Sequence, residues 1–146
     1  MSMLNKIRVL PDQYIFNQGE TGEAAYLIAS GSFIVEIDQK NIGKLSEGEI
    51  FGELSLILGE PRKASVKAVV PSEIVEIKPA ALKELLLSSS LDLHKIIKQI
   101  SKELAKPSNH ELPISLEELK LLLKDQPTVI SSLALQLHHR LSGMIF

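Results

Sequence analysis

The stretch Phe51-Gly52-Glu53-Leu54-Ser55-Leu56-Ile57-Leu58-Gly59-Glu60-Pro61-Arg62-Lys63-Ala64-Ser65-Val66 carries the residue types of this 146-residue chain whose spacing could do chemistry. A Gly-Glu-Leu-Ser turn that opens a short apolar segment offers free backbone N–H groups at a helix start, where the helix dipole also favours an anion. Arg62 lies ten residues beyond Gly52. If the chain folds back at Gly59-Glu60-Pro61, the guanidinium fork faces those N–H groups and closes a cradle for one phosphate. Glu53 in the same turn opposes a phosphate unless it faces donors, and a ribose hydroxyl is such a donor. Spacing alone leaves a second reading open, because Gly-Glu and Pro-Arg pairs also occur in solvated turns.

Other chemistries lack their residues. The chain has no cysteine, which excludes a disulfide framework, a thiolate zinc site and a cysteine nucleophile together. Its four histidines, His94, His110, His138 and His139, all lie in the second half of the chain, away from the strand-like segments that would have to hold a metal. His138 and His139 are adjacent, point about 100° apart on a helix and are expected at the surface. No spacing suggests a Ser-His-Asp set or paired carboxylates, so no enzyme is expected. Sixteen basic against 18 acidic residues leave no electrostatic footprint for DNA or an anionic membrane. The start, Met1 to Leu10, has charges where a secretory leader needs its apolar stretch, and no stretch approaches the roughly 18 apolar residues of a membrane span. A cytoplasmic protein is expected.

Two regions must position the motif. Seven of the eight glycines lie at or before Gly59 and five of the six aromatics at or before Phe51, so the front of the chain is built from turns. Tyr14 to Phe16, Ala25 to Ile28, Ser32 to Ile37, Ser65 to Val70 and Ile74 to Ile77 read as short strands. Phe33, Val35 and Ile37 share one face of their strand, and Glu36 and Asp38 the other. Punctuation at Gln18-Gly19, Gly31, Asp38 to Asn41, Gly43 and Gly48 favours a closed barrel or sandwich over a parallel sheet. From Pro79 the period becomes helical. Leu82, Leu85 and Leu86 form one stripe, and Leu93, Ile96, Ile97, Ile100 and Leu104 a second, until Lys106-Pro-Ser-Asn-His110 breaks the pattern. The expected class is therefore α+β, strands first and helices after.

The tail echoes the first helices. A shift of 37 residues lays Ala81–Leu86 on Glu118–Leu123, and Leu93, Ile96, Ile97, Ile100 and Leu104 on Ile130, Leu133, Ala134, Leu137 and Leu141. Duplication and the coincidence of two amphipathic pairs both produce such a match. The tail is expected as a helix over about Leu116 to Lys124, a break near Pro127, and a longer helix from Thr128 ending at Gly143.

The motif resembles the phosphate-binding cassette of the cyclic nucleotide-binding domain family: Phe-Gly-Glu, an aliphatic residue, a small one, Leu, a spacer, then Pro-Arg-x-Ala-Ser-Val-x-Ala. Tyr14 to Val35 looks like that family's opening strands, with Gly19, Gly22 and Gly31 at its customary turns. The resemblance covers roughly residues 8 to 105. It implies an antiparallel jelly-roll barrel over about 8–78 with the nucleotide inside, and lid helices over about 79–105 that move when ligand binds. Residues 1–105 would form the nucleotide-binding domain and 106–146 a helical extension. Residue by residue, it makes Glu53 the acceptor for the ribose 2′-hydroxyl and Arg62 the partner of the cyclic phosphate. Gly52 and Leu54 line the turn, the N–H groups of Ser55 and Lys63 complete the cradle, and Val35 and Leu45 present apolar surface to purine or sugar.

Departures refine the expectation. Lys63 stands where the family often has Ala, Ser or Thr, and its side chain has donors only. It cannot accept a bond from the guanine amino group, so cAMP is favoured over cGMP. The lid offers His94, Lys95 and Lys98 and no aromatic or Arg to stack on the purine. Two alternatives stand beside a cAMP sensor that acts on a protein effector. One is a nucleotide-free scaffold in which Glu53 and Arg62 pair with each other. The other is a fragment of a transcription regulator, against which count the 40 residues after Lys106 and their scarcity of basic side chains. The apolar tail stripes must be buried against the barrel, the first helical pair or another copy, and a homodimer is expected.

Overall fold

The computed structural model describes residues 6–145; Met1–Asn5, on which part of the expectation about a leader rests, and Phe146 lie outside them. The chain divides into two compact units, one up to Pro79 and one from Ala80. The lid helices thus group with the tail helices rather than with the strands.

The first unit has eight strands: β1 (Lys6–Val9), β2 (Tyr14–Phe16), β3 (Ala25–Ser30), β4 (Ser32–Ile37), β5 (Lys40–Ser46), β6 (Ile50–Phe51), β7 (Ser65–Ala68) and β8 (Ser72–Ile77). A short helix, α1 (Glu53–Leu58), sits between β6 and β7. The strands form two four-stranded antiparallel sheets, ordered β1-β8-β3-β6 and β2-β7-β4-β5. Of the two forms that the turn spacing favoured this is the sandwich, and the barrel that the resemblance implied is not closed, because each sheet ends in a strand with no ladder to the other sheet. Phe33, Ile28, Ile74, Val66 and Phe51 fill one core, with Val35 and Phe16 packed against it. Of the face read in β4, Phe33 is buried and Val35 packs against the core while Ile37 is only half-buried; Glu36 accepts a hydrogen bond from the Tyr14 hydroxyl at 2.6 Å and pairs with Lys67 at 3.6 Å.

Three strands had no sequence signal. In β5 only Leu45 is buried, so no alternation marks it, and Asn41 and Gly43, read as punctuation, lie inside it. β1 buries only Val9, and β6 has two residues, too few to show a period.

The second unit holds α2 (Pro79–Ser88), α3 (Leu91–Ala105), α4 (Leu116–Leu122) and α5 (Thr128–Ile145). Ser90 and Ser115 cap α3 and α4, each accepting from the backbone N–H three residues on at 3.2 Å, a contact worth about 1 kcal/mol. α3 packs on α5 and on α4. Ile130, Leu133, Leu137 and Leu141 are buried, with α3 among the elements packed on α5. Two expectations are corrected. α5 runs through Gly143 to Ile145, because this glycine keeps helical geometry. His138 is buried rather than at the surface, its Nε2 lying 2.9 Å from the Ile114 carbonyl, while its neighbour His139 is exposed as the helical angle demands.

Candidate ligand-binding site

β6 delivers Gly52 in a left-handed conformation (φ 81°), and α1 starts on the next residue. α1 closes at Gly59, also left-handed, whose N–H donates to Ser55 O; Glu60 N–H donates to the same carbonyl at 3.1 Å. This reversal, read in the sequence as a fold-back at Gly59-Glu60-Pro61, returns Arg62 to the start of α1. The Arg62 backbone is then clamped from both sides by the Gly19-Glu20 turn. Its N–H donates to Glu20 O at 2.8 Å, and its carbonyl accepts from Gly19 N–H at 2.7 Å.

The side chain points inward and is 5% exposed. Nη1 donates to Gly52 O at 2.5 Å and to Ser55 Oγ at 2.7 Å, and Nη2 donates to Ala24 O at 2.5 Å. The guanidinium carbon lies 3.9 Å from the centre of the Phe16 ring, a cation–π contact. Nε, also buried, has no hydrogen-bond partner among the described residues. Burial lowers the Arg62 pKa from its ordinary value, and nearby Tyr26, Glu53, Glu20 and Glu23 oppose that shift. The result is a fixed positive charge out of water, held by carbonyl dipoles and a hydroxyl, with the Nε–H left unbonded. Glu53, the first residue of α1, is fully buried beside it.

Two glycines make room for this arrangement. A Cβ on Gly22 would lie 2.2 Å from Ser55 Oγ and 3.3 Å from the guanidinium carbon. One on Gly52 would lie 2.9 Å from Arg62 Nη1 and 3.1 Å from the Phe16 ring, at a φ that side chains avoid. The chemistry available is the binding of a small anion, with a buried carboxylate at hand for hydroxyl donors. No cluster of three or more potential metal ligands exists among the described residues.

A family model for the cyclic nucleotide-binding domain matches residues 6–89, a span that includes both glycines, Glu53 and Arg62. The chain belongs to the cyclic nucleotide-binding domain family.

Among curated relatives, a cGMP-dependent protein kinase of Eimeria tenella is 40% identical over 67 residues, 46% of this chain and 7% of the kinase. A cAMP-dependent protein kinase type II regulatory subunit of Drosophila melanogaster is 30% identical over 93 residues, 64% of this chain and 25% of the subunit. The chain thus spans a quarter or less of these relatives. Among solved structures, the EAL enzyme Bd1971 in its cAMP-bound form is 28% identical with a TM-score of 0.64, covering 68% of this chain and 28% of the enzyme chain. Its cGMP-bound form gives a TM-score of 0.65 with the same identity and coverage.

The cyclic nucleotide-binding domain brings Gly52, Ser55 and Arg62 into one cluster with Glu53 beside it. Leu54 is half-buried on the same helix. Lys63 turns away: its side chain is half-exposed and pairs with Glu60 at 3.0 Å. Leu45 is buried in the core that includes Phe33 and Phe51, and Val35 and Phe16 pack against that core. An aromatic wall runs from Phe16 to Phe51 and on to Phe33, with ring centres 5.9 and 5.6 Å apart. Three participants were not read as site residues. Gly22 had been placed only at a turn, Phe16 only in a strand, and Ala24 acts through its carbonyl, which no side-chain pattern reveals.

Proposed function

We propose that the chain is a regulatory module that binds a cyclic purine nucleotide, cAMP in the first place and cGMP in the second, and has no catalytic role. Residues 1–105 form the binding module and 106–146 an extension. Occupancy is passed to a protein effector in the cytoplasm by movement of the C-terminal helices. The observation that carries this reading is the buried Arg62 guanidinium, aimed at the turn that starts α1 and keeping its Nε–H unbonded, in a chain of this family. In the bound state Arg62 takes the cyclic phosphate, the N–H groups of Ser55 and Lys63 share it, and Glu53 accepts the ribose 2′-hydroxyl. Gly52 and Leu54 shape the turn, and Val35 and Leu45 lie on the apolar side toward purine and sugar.

The hydrogen bonds from Arg62 to Gly52, Ser55 and Ala24 favour a second reading, in which the guanidinium serves only to tie these turns together and no nucleotide binds. Titration of the full chain with cAMP and cGMP separates the two. Binding that falls by roughly 2 to 4 kcal/mol in Arg62→Ala, with the fold retained by circular dichroism, supports the sensor. Undiminished binding in that variant removes the phosphate assignment, and no binding in the parent chain establishes the scaffold.

A further inference from the structure

One shift in sequence relates the four helices. α2 starts at Pro79 and α4 at Leu116, while α3 starts at Leu91 and α5 at Thr128, so both pairs of starts lie 37 residues apart (116 − 79 and 128 − 91). The same shift carries burial across. Leu93, Ile97, Ile100 and Leu104 fall on Ile130, Ala134, Leu137 and Leu141, and all eight are buried. The one buried polar residue of α3, Ser101, falls on the one buried polar residue of α5, His138. Amphipathic periodicity accounts for matching apolar positions. It accounts neither for the polar match nor for two helix starts in one register.

Within this unit α3 packs on α5. The α3 stripe is therefore covered by a helix with the burial spacing of α3 itself. A face that accepts its own repeat is self-complementary in kind, as a two-fold interface between identical chains requires. The repeats differ in one tie. Ser101 turns its hydroxyl back to Ile97 O at 2.8 Å on its own helix, whereas His138 reaches Ile114 O, just ahead of α4, and fastens the second pair to itself.

We propose that α4–α5 is a tandem second copy of α2–α3 that serves as a built-in partner for α3, keeping the chain monomeric by covering a face that otherwise pairs with α3 of a second copy. Light scattering on full-length variants at tens of micromolar tests this. The parent chain runs as a monomer. Ala134→Glu with Leu137→Glu frees α3 from the tail, and the apparent mass doubles. The same charges placed on the repeat-equivalent positions, Ile97→Glu with Ile100→Glu, spoil the face that would pair and leave a monomer. A dimeric parent chain, a folded tail variant that stays monomeric, or equal association of both variants would overturn the proposal. Where the charged pairs abolish folding, Leu137→Ala against Ile100→Ala reads the same contrast: the first gives a dimer fraction that rises with concentration and exceeds the second, and equal fractions overturn it.

Discussion

At the scale of single residues, the site depends on what is missing from two side chains. Gly22→Ala places a methyl 2.2 Å from Ser55 Oγ, so Ser55 must leave its bond with Arg62 or the β2–β3 connection must move. Strain of this kind costs about 1–3 kcal/mol. Nucleotide affinity is expected to fall about tenfold or more, as read by calorimetric titration, and an unchanged affinity would show that Arg62 does not depend on this approach. The proposed base choice is argued from Lys63, whose side chain pairs with Glu60. cAMP is expected to bind more tightly than cGMP, and Lys63→Thr to narrow the gap by about 1 kcal/mol, the value of one added hydrogen bond. A parent chain that prefers cGMP contradicts this. Much of the site was legible because Gly52, Glu53, Ser55 and Arg62 stand in one short motif. Gly22 and Ala24 were not legible as participants: a glycine needed for close approach looks in sequence like a turn glycine, and a carbonyl carries no residue signature.

At the scale of elements, legibility followed burial. β4 buries Phe33, packs Val35 against the core and keeps its other residues half-buried, whereas β5 buries Leu45 and leaves its other residues exposed, so only β4 showed a pattern. The starts of α2, α4 and α5 were legible, as was the end of α3 before Lys106, whereas the start of α3 was not read. Pro79, Ser90 and Ser115 supply the physical reason for three of those starts, and Gly143 failed as a stop because packing along α5 overrides a single unfavourable residue. The caps give a clean test. Ser90→Ala removes the acceptor for Leu93 N–H and is expected to destabilise the helical unit by about 1 kcal/mol in urea unfolding. A change under about 0.3 kcal/mol would mean that water replaces the serine without loss.

At the scale of the whole molecule, the chain's parts are joined by contacts that lie far apart in sequence. The tail's apolar stripe was visible in the sequence, but which surface covers it depends on packing that a pattern does not encode. The clamp on Arg62 has a consequence for the order in which the chain folds. Ala24 and Arg62 are 38 residues apart, and Gln18 and Ser65, joined by a 2.8 Å hydrogen bond beside the clamp, are 47 apart. Loops of this length must close before any of these bonds forms, and slow, non-local closure is what limits the rate of such sheets. The proposed anion site is therefore expected to form only once the strands are assembled, with no weaker version in a partly folded state. Hydrogen exchange reads this directly. The amides of Gly19 and Arg62 are expected to open together, with the free energy of unfolding the entire strand unit, and cAMP at 100 times its dissociation constant should slow both by the equivalent of about 2.7 kcal/mol. Independent, cheaper opening at Arg62 would make the clamp a local latch, able to release its ligand while the sheets stay whole.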